Sequence, residues 1–224
     1  MINDLLKNRK YVKEYDQTAD IPESLIDSLL QKTWAVTPSK NNFMPYTVHV
    51  LGQEHQKYKE LVYQHCLEAE GHFDKVKNPL ETRYNKKLPS YANILNCSYL
   101  FIFTMRLEDN PNPQQLKAIK NGHKYDAVNK SKLNDLYSIT SLEVGMFINT
   151  FSALCLEYNI DVSLTGCFDT NLKKWKKIKF VKKTPIIIMT AGKSKVYRQD
   201  VIDIENDLRP DYNRIVNFVK KKAK

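Results

Sequence analysis

The sequence predicts an α+β layer built on a central sheet. Three observations predict it. Apolar residues recur at helical spacing in some segments and alternate or run continuously in others, so both element types are present. The two types mix without the strict strand–helix alternation of a doubly wound parallel sheet. The chain has 224 residues, 42% of them hydrophobic and 27% charged, an ordinary folded balance. That length gives one large domain or two small ones, with a core that needs no disulfide or metal staple.

Residues 2–9 read as a short helix anchored by Leu5 and Leu6. Asp20, Pro22 and Glu23 form a helix start, with Asp20 as the N-cap acid. Leu25, Ile26, Leu29, Leu30 and Trp34 then follow at helical spacing. Thr37-Pro38 ends that helix, because proline disfavours helical geometry in the residue before it. Thr47–Leu51 alternates and is β-branched, which predicts a strand. Residues 55–69 read as a helix through Tyr58, Leu61, Val62, His65 and Cys66, and Tyr99–Thr104 as a buried strand. Residues 106–133 are polar, with Pro111, Pro113 and many lysines, and read as a long variable loop that could hold one short helix. Residues 134–158 form the longest periodic segment, apolar on nearly all sides, which predicts a central buried helix. Gly145 inside it costs up to ~1 kcal/mol against alanine, and close helix–helix approach would explain it. Ile160–Leu164 and Pro185–Thr190 complete the strands.

Composition excludes several classes. The longest uninterrupted apolar runs, Leu100–Phe103 and Ile186–Met189, fall short of the ~18 residues of a membrane span. Met1-Ile2-Asn3-Asp4 lacks a basic-then-apolar leader, so the expected location is the cytoplasm. Cys66, Cys97, Cys155 and Cys167 lie far apart with no metal-ligand spacing, which predicts buried free thiols. No two of the six glycines make a Gly-x-Gly pair, so a Rossmann fingerprint is absent. Gly192-Lys193-Ser194 ends like a P-loop, but position 187 is isoleucine where the first glycine belongs.

The net charge of +10 favours anionic partners. Lysines crowd two places, 173–183 and the basic tail 220–224. Leu172, Trp175 and Ile178 recur every third residue, so the first run reads as a helix with a core-facing stripe and a solvated lysine face. The five histidines form no metal or nucleophile motif, and His49 and His65 read as structural. Any chemistry therefore rests on a cofactor.

Two segments suggest which one. Arg9, Lys10 and Lys13 place three cations within five residues at an element end, suited to a phosphate. Pro38, Ser39, Lys40, Asn41 and Asn42, with Pro45 beyond, make a stiffened polar loop between helix and strand that suits the polar edge of a heteroaromatic ring. In this order the segments resemble the nitroreductase family of flavin enzymes. That family opens with Arg-Arg-Ser-x-Arg-x-Phe, matched by Arg9-Lys10-Tyr11-Val12-Lys13-Glu14-Tyr15. It continues with Pro-Ser-x-x-Asn-x-Gln-Pro-Trp, matched by Pro38-Ser39-Lys40-Asn41-Asn42-Phe43-Met44-Pro45-Tyr46. Ser141–Ile160 resembles its long central helix, Gly166-Cys167-Phe168-Asp169 its Gly-Phe-Asp turn, and Leu208-Arg209-Pro210 its late arginine segment.

The resemblance implies a single domain over 1–224, an α/β sandwich with a mixed sheet, in an intertwined homodimer with two interfacial FMN sites. It implies that Arg9, Lys10, Tyr11 and Lys13 hold the phosphate and ribityl chain, joined by Arg209. Pro38, Ser39, Lys40 and Asn42 would reach the flavin from the partner subunit, with Gly166 and Cys167 beside its reactive edge. It further implies NAD(P)H as donor, and hydride passage through flavin N5 to a nitroaromatic, quinone or similar acceptor by ping-pong exchange. No side chain is then catalytic. Lys13, Tyr11, Met44 and Tyr46 stand where the family has arginine or lysine, serine, glutamine and tryptophan, changes that bear on the substrate. Reductive dehalogenation and flavin fragmentation on the same fold are the alternatives. A basic nucleic-acid-binding protein is the reading from another class, and membrane association is not expected.

Overall fold

The computed structural model describes residues 9–39, 44–73, 91–106, 113–122 and 133–198. The described elements run in chain order β1 (Tyr11–Tyr15), α1 (Glu23–Val36), β2 (Tyr46–Leu51), α2 (Gln56–Phe73), α3 (Ala92–Asn96), β3 (Tyr99–Met105), α4 (Pro113–Lys120), α5 (Leu133–Leu156), β4 (Asp161–Thr165), α6 (Leu172–Trp175), β5 (Pro185–Gly192) and β6 (Ser194–Arg198).

Four strands form the central sheet in the order β2-β3-β5-β4, with antiparallel pairing throughout. The expected mixed sheet is therefore antiparallel among the described residues. β3 is buried on both faces, as its unbroken apolar run requires. Its alternation divides the core into two layers. Tyr99, Phe101 and Phe103 point to one side, onto Ile26 and Leu29 of α1 and Val144, Phe147, Phe151 and Cys155 of α5. Leu100 and Ile102 point to the other, onto Val62 and Cys66 of α2, Ile94 of α3 and Trp175 of α6. A register shift beside Phe103 lets both Ile186 and Ile187 pack against the first layer.

A second, two-stranded ribbon pairs β1 with β6. Neither strand is anticipated from the sequence, because five-residue segments of mixed apolar and charged residues carry little periodicity. The segment Arg9–Tyr15, expected at a helix end, is thus largely a strand. Tyr15 fixes the ribbon to the main sheet. Its hydroxyl donates to the Thr190 carbonyl at 3.0 Å, and its ring lies against Gly192, where an added Cβ would sit 2.7 Å from Cδ1.

Several expectations are corrected. Asp20 does not cap α1: Pro22 occupies the N-cap with no side-chain bond. Trp34, counted on the apolar face, is 62% exposed. The other end matches, with Thr37 extended and its N–H and hydroxyl both donating to the Thr33 carbonyl. The 173–183 helix is shorter than expected, ending at Trp175 and continuing as turns. Its stripe does face the core, with Trp175 and Ile178 fully buried. Cys66, Cys97 and Cys155 are buried free thiols, but Cys167 is exposed. The excursion 106–133 carries one short described helix, α4. Residues 2–8 of the expected first helix lie outside the described residues, as does the tail, and Arg9 is not helical.

α5 departs most from expectation. It is long and apolar enough over Tyr137–Leu156 to cross a membrane by length and composition, although no uninterrupted run shows it. It buries one face on the sheet, while Leu142, Gly145 and Asn149 are exposed. Among the described residues nothing lies within 4 Å of a Cβ built on Gly145, so close packing among them does not explain that glycine.

Candidate functional site

A cavity of about 370 Å3 opens beside the uncovered face of α5. Ser141, Val144, Gly145, Ile148, Asn149 and Ser152 of α5 form one wall. Leu164 of β4 with Ile186 and Ile187 of β5 form another, and Arg9 supplies a cation. The stripe Ser141, Gly145, Asn149 and Ala153 recurs every fourth residue, which puts these small and polar side chains on one face.

β4 organises the site. Its first residue, Asp161, accepts the Ser194 N–H at 3.2 Å and pairs with the Lys10 ammonium at 3.7 Å. Lys10 also donates to the Ser194 hydroxyl at 3.3 Å. These contacts hold the start of β1, and with it Arg9, beside one end of β4. The last residue, Thr165, leads directly into Gly166 and Cys167, both exposed. A five-residue strand separates its ends by roughly 13 Å, so a cationic end and an open backbone turn lie along one edge strand.

The turn is fastened from behind. The Asp169 N–H donates to the His65 carbonyl at 3.1 Å, and the Trp175 indole N–H donates to the Asp169 carbonyl at 2.5 Å. The Asp169 carboxylate accepts from the Asn171 N–H at 2.8 Å and pairs with Lys174 at 2.6 Å. The hydrogen bonds from Lys174 and from the Asn171 backbone hold that carboxyl below its ordinary pKa. Phe168 and the His65 ring pack on Trp175 at 5.6 and 4.7 Å. His65 is buried with both ring nitrogens unpartnered among the described residues, and burial lowers its pKa. It is a packing residue, as expected.

The sequence-derived candidates separate into groups. Arg9 lines the cavity, and Gly166 and Cys167 follow Leu164, which also lines it. Lys10 meets Asp161 and Ser194. Tyr11 pairs through its backbone with Arg198, and Lys13 is half-buried on the same strand. Pro38 and Ser39 lie past the end of α1 and do not line the cavity; the Ser39 hydroxyl accepts the Met44 N–H at 2.8 Å. Lys40, Asn42 and Arg209 lie outside the described residues. The α5 wall is not among the sequence-derived candidates; the every-fourth-residue stripe of small and polar side chains is the signal that marks it. Chemically, the arrangement suits a ligand with an anionic end and a flat, largely apolar body.

The architecture has close counterparts. A protein from Staphylococcus epidermidis ATCC 12228 assigned as an NAD(P)H:FMN oxidoreductase superposes with a TM-score of 0.67 at 16% identity, covering 98% of this chain and 96% of that one. A nitroreductase-like protein from Streptococcus mutans gives 0.60 at 17% identity, with 97% of each chain covered. A protein from Exiguobacterium sibiricum 255-15 assigned as a nitroreductase, solved in complex with FMN, gives 0.63 at 13% identity, covering 98% of this chain and 97% of that one. At such identities these likenesses carry the fold alone. No curated protein matches the chain. The nitroreductase family pattern spans residues 6–193, which takes in Arg9 and every described element through β5, and on that match the chain belongs to the nitroreductase family.

Proposed function

We propose that the chain is an FMN-dependent NAD(P)H oxidoreductase whose flavin lies along β4. The observation that carries this is one largely apolar cavity lined by both Arg9 and Leu164, the latter two residues before Gly166. Family membership supports an oxidoreductase, and the FMN complex of a structural neighbour supports the cofactor. The residues fit that cofactor. Arg9 offers a forked guanidinium to phosphate oxygens, with Lys13 of the following strand β1 as a point charge. Ile148, Leu164 and Ile186 offer an apolar bed to an aromatic ring. Exposed Gly166 and Cys167 offer backbone N–H groups to its polar edge. Lys10 serves by holding β1 to β4 through Asp161 rather than by touching phosphate.

When bound, FMN supplies hydride acceptance and release at N5. The chain's part is to bind and orient: close approach of donor and flavin supplies much of the rate gain. NAD(P)H and the acceptor, a nitroaromatic, quinone or similar molecule, use the same pocket in turn. Pro38, Ser39, Lys40 and Asn42 act from the partner subunit, and Arg209 joins the phosphate site. The exposed face of α5 is the homodimer contact, which places that helix in a protein interior rather than a membrane. The whole chain is one FMN-binding domain in the cytoplasm.

The test is the visible spectrum of the freshly purified protein, with chromatography of what heat releases, followed by NADH and NADPH oxidation against a panel of acceptors. A yellow protein releasing FMN and oxidising a nicotinamide is expected. A colourless protein that takes up no added FMN overturns the site. Flavin without nicotinamide turnover leaves dehalogenation, flavin fragmentation or a lost activity as the better reading.

A further inference from the structure

We propose that the lysine strap 173–183 is a second binding surface, for the phosphate backbone of duplex nucleic acid. The strap repeats every three residues. Leu172, Trp175, Ile178 and Val181 form one row, the last three at most 1% exposed. Lys173, Lys176, Lys179 and Lys182 form the next row, and all four are exposed. The backbone gives the reason. After α6 the N–H groups of Lys177, Ile178 and Val181 each donate to the carbonyl three residues back, so successive turns return Ile178 and Val181 to the core and leave the lysines between them outside.

None of these four ammonium groups makes an ion pair or side-chain hydrogen bond among the described residues. Lys174, in the third row, is the exception that fixes the strap. It pairs with Glu68 on α2 at 2.5 Å and with Asp169 at 2.6 Å. The strap is therefore a buried apolar rail pinned at its start, presenting four unneutralised cations in a row.

Trp175 and Lys174 of the strap hold Asp169 behind the Gly166–Cys167 turn, but the lysine row is not part of the cavity lining. The rail packs in the core layer of α2 and α3, whereas the cavity opens beside α5 on the other side of the sheet. A ligand on the strap would not need to enter the cavity. Duplex nucleic acid carries one negative charge per ~1.7 Å of axis, a dense anionic surface that suits four exposed lysines. A membrane surface is less well matched. Amphipathic surface binders insert apolar side chains beside their cations, and here Trp175, Ile178 and Val181 are already in the core. A single strand is less well matched too. Phe180, the aromatic in the third row, is half-buried against His49 and Tyr58 and offers no open stacking face.

The experiment uses the full-length purified protein and a fluorescein-labelled 20-base-pair duplex of mixed sequence, followed by anisotropy between 50 and 200 mM NaCl. Each phosphate contact contributes about −0.9 to the slope of log K against log salt. Four contacts give a slope near −3.6, or an affinity loss on the order of 100-fold over that range. The variant Lys173→Gln, Lys176→Gln, Lys179→Gln, Lys182→Gln should lose nearly all of that slope with unchanged far-ultraviolet circular dichroism. The double variant Lys176→Gln, Lys179→Gln should lose half of it. A control with Lys32→Gln and Lys193→Gln should behave as wild type. Absence of binding at 50 mM NaCl overturns the proposal. So does an equal loss in the control, an unchanged slope in both strap variants, or tighter binding to phosphatidylserine vesicles than to the duplex.

Discussion

Gly192→Ala tests whether the joint between the ribbon and the main sheet governs the flavin site. A Cβ at that position would lie 2.7 Å from Tyr15 Cδ1, 3.0 Å from Cγ and 3.3 Å from the Ser98 nitrogen. Carbon–carbon contacts are optimal at about 3.5–4.0 Å, so the first overlap is close to an ångström. The Tyr15 ring has little room to yield. It is 1% exposed, and its hydroxyl is held at 3.0 Å by both the carbonyl and the hydroxyl of Thr190. Overpacking of this kind costs about 1–3 kcal/mol, and losing the phenol's bond adds about 1 kcal/mol. The stiffer unfolded chain offsets roughly 0.5 kcal/mol. The net expectation is about 2–3 kcal/mol of lost stability. Urea denaturation of flavin-stripped protein at fixed concentration reads this as a midpoint lowered by about 1 M, for an m-value of about 2–3 kcal/mol/M. The effect should shrink in a Tyr15→Leu background, because the clashing ring is gone. Flavin retention should fall in the single variant, since the displaced ribbon carries Arg9. An unchanged midpoint, or the same loss in the Tyr15→Leu background as with the tyrosine in place, would refute the steric argument.

Three further outcomes are expected. Arg9→Ala should weaken FMN binding about 10- to 100-fold, the worth of a charge-assisted bond of about 1.5–3 kcal/mol, with the melting temperature of flavin-free protein unchanged; equilibrium dialysis reads it, and undiminished affinity removes Arg9 from the phosphate site. Gly145→Ala should raise the stability of flavin-free protein by up to about 1 kcal/mol through helix propensity, because its Cβ meets nothing within 4 Å among the described residues, yet lower flavin occupancy by narrowing the cavity; unchanged occupancy moves the ligand off α5. His65→Phe should flatten the acid limb of stability. Burial lowers the folded pKa of His65, so the unfolded chain takes the proton first as pH falls. Stability is then constant above the unfolded value of about 6.5 and declines below it. Phenylalanine keeps a ring on Trp175 and does not titrate, and denaturation at pH 7.5 and 5.5 compares the two proteins.

The strands and helices that fill the core were legible because burial imposes a period. Leu100–Phe103 reads as a continuous apolar run since β3 is covered on both faces, and the three-residue rhythm of Leu172, Trp175 and Ile178 survives although the helix there ends at Trp175. The β1–β6 ribbon was illegible for the converse reason. Lys13, Lys195 and Val196 are not fully buried, so its composition reflects solvent and charge more than a packed face. Asp20 misled because capping depends on φ and ψ as well as residue type: the chain turns into α1 through Pro22 at φ −60°, ψ 138°, two residues after the acid.

The site was half legible, and the division follows which groups have a local chemical signature. Arg9 could be found because clustered cations in a short segment oppose each other unless an anion or acid answers them. One acid does answer: Asp161 takes Lys10, and only the fold could reveal a pairing so distant in the chain. The α5 wall carried the opposite ambiguity. A helix apolar on most sides reads as buried, and Val144, Phe147, Ile148, Phe151 and Cys155 are indeed buried. Yet Leu142 is 65% exposed and Gly145 faces open space. Sequence hydrophobicity records whether a face is ever dry; it does not record what dries it. For α5 the sheet dries one face, and the proposed flavin and second subunit would dry the other. The small-residue stripe Ser141, Gly145, Asn149 and Ala153 is what separates the two faces: it leaves room where the sheet-facing positions fill it.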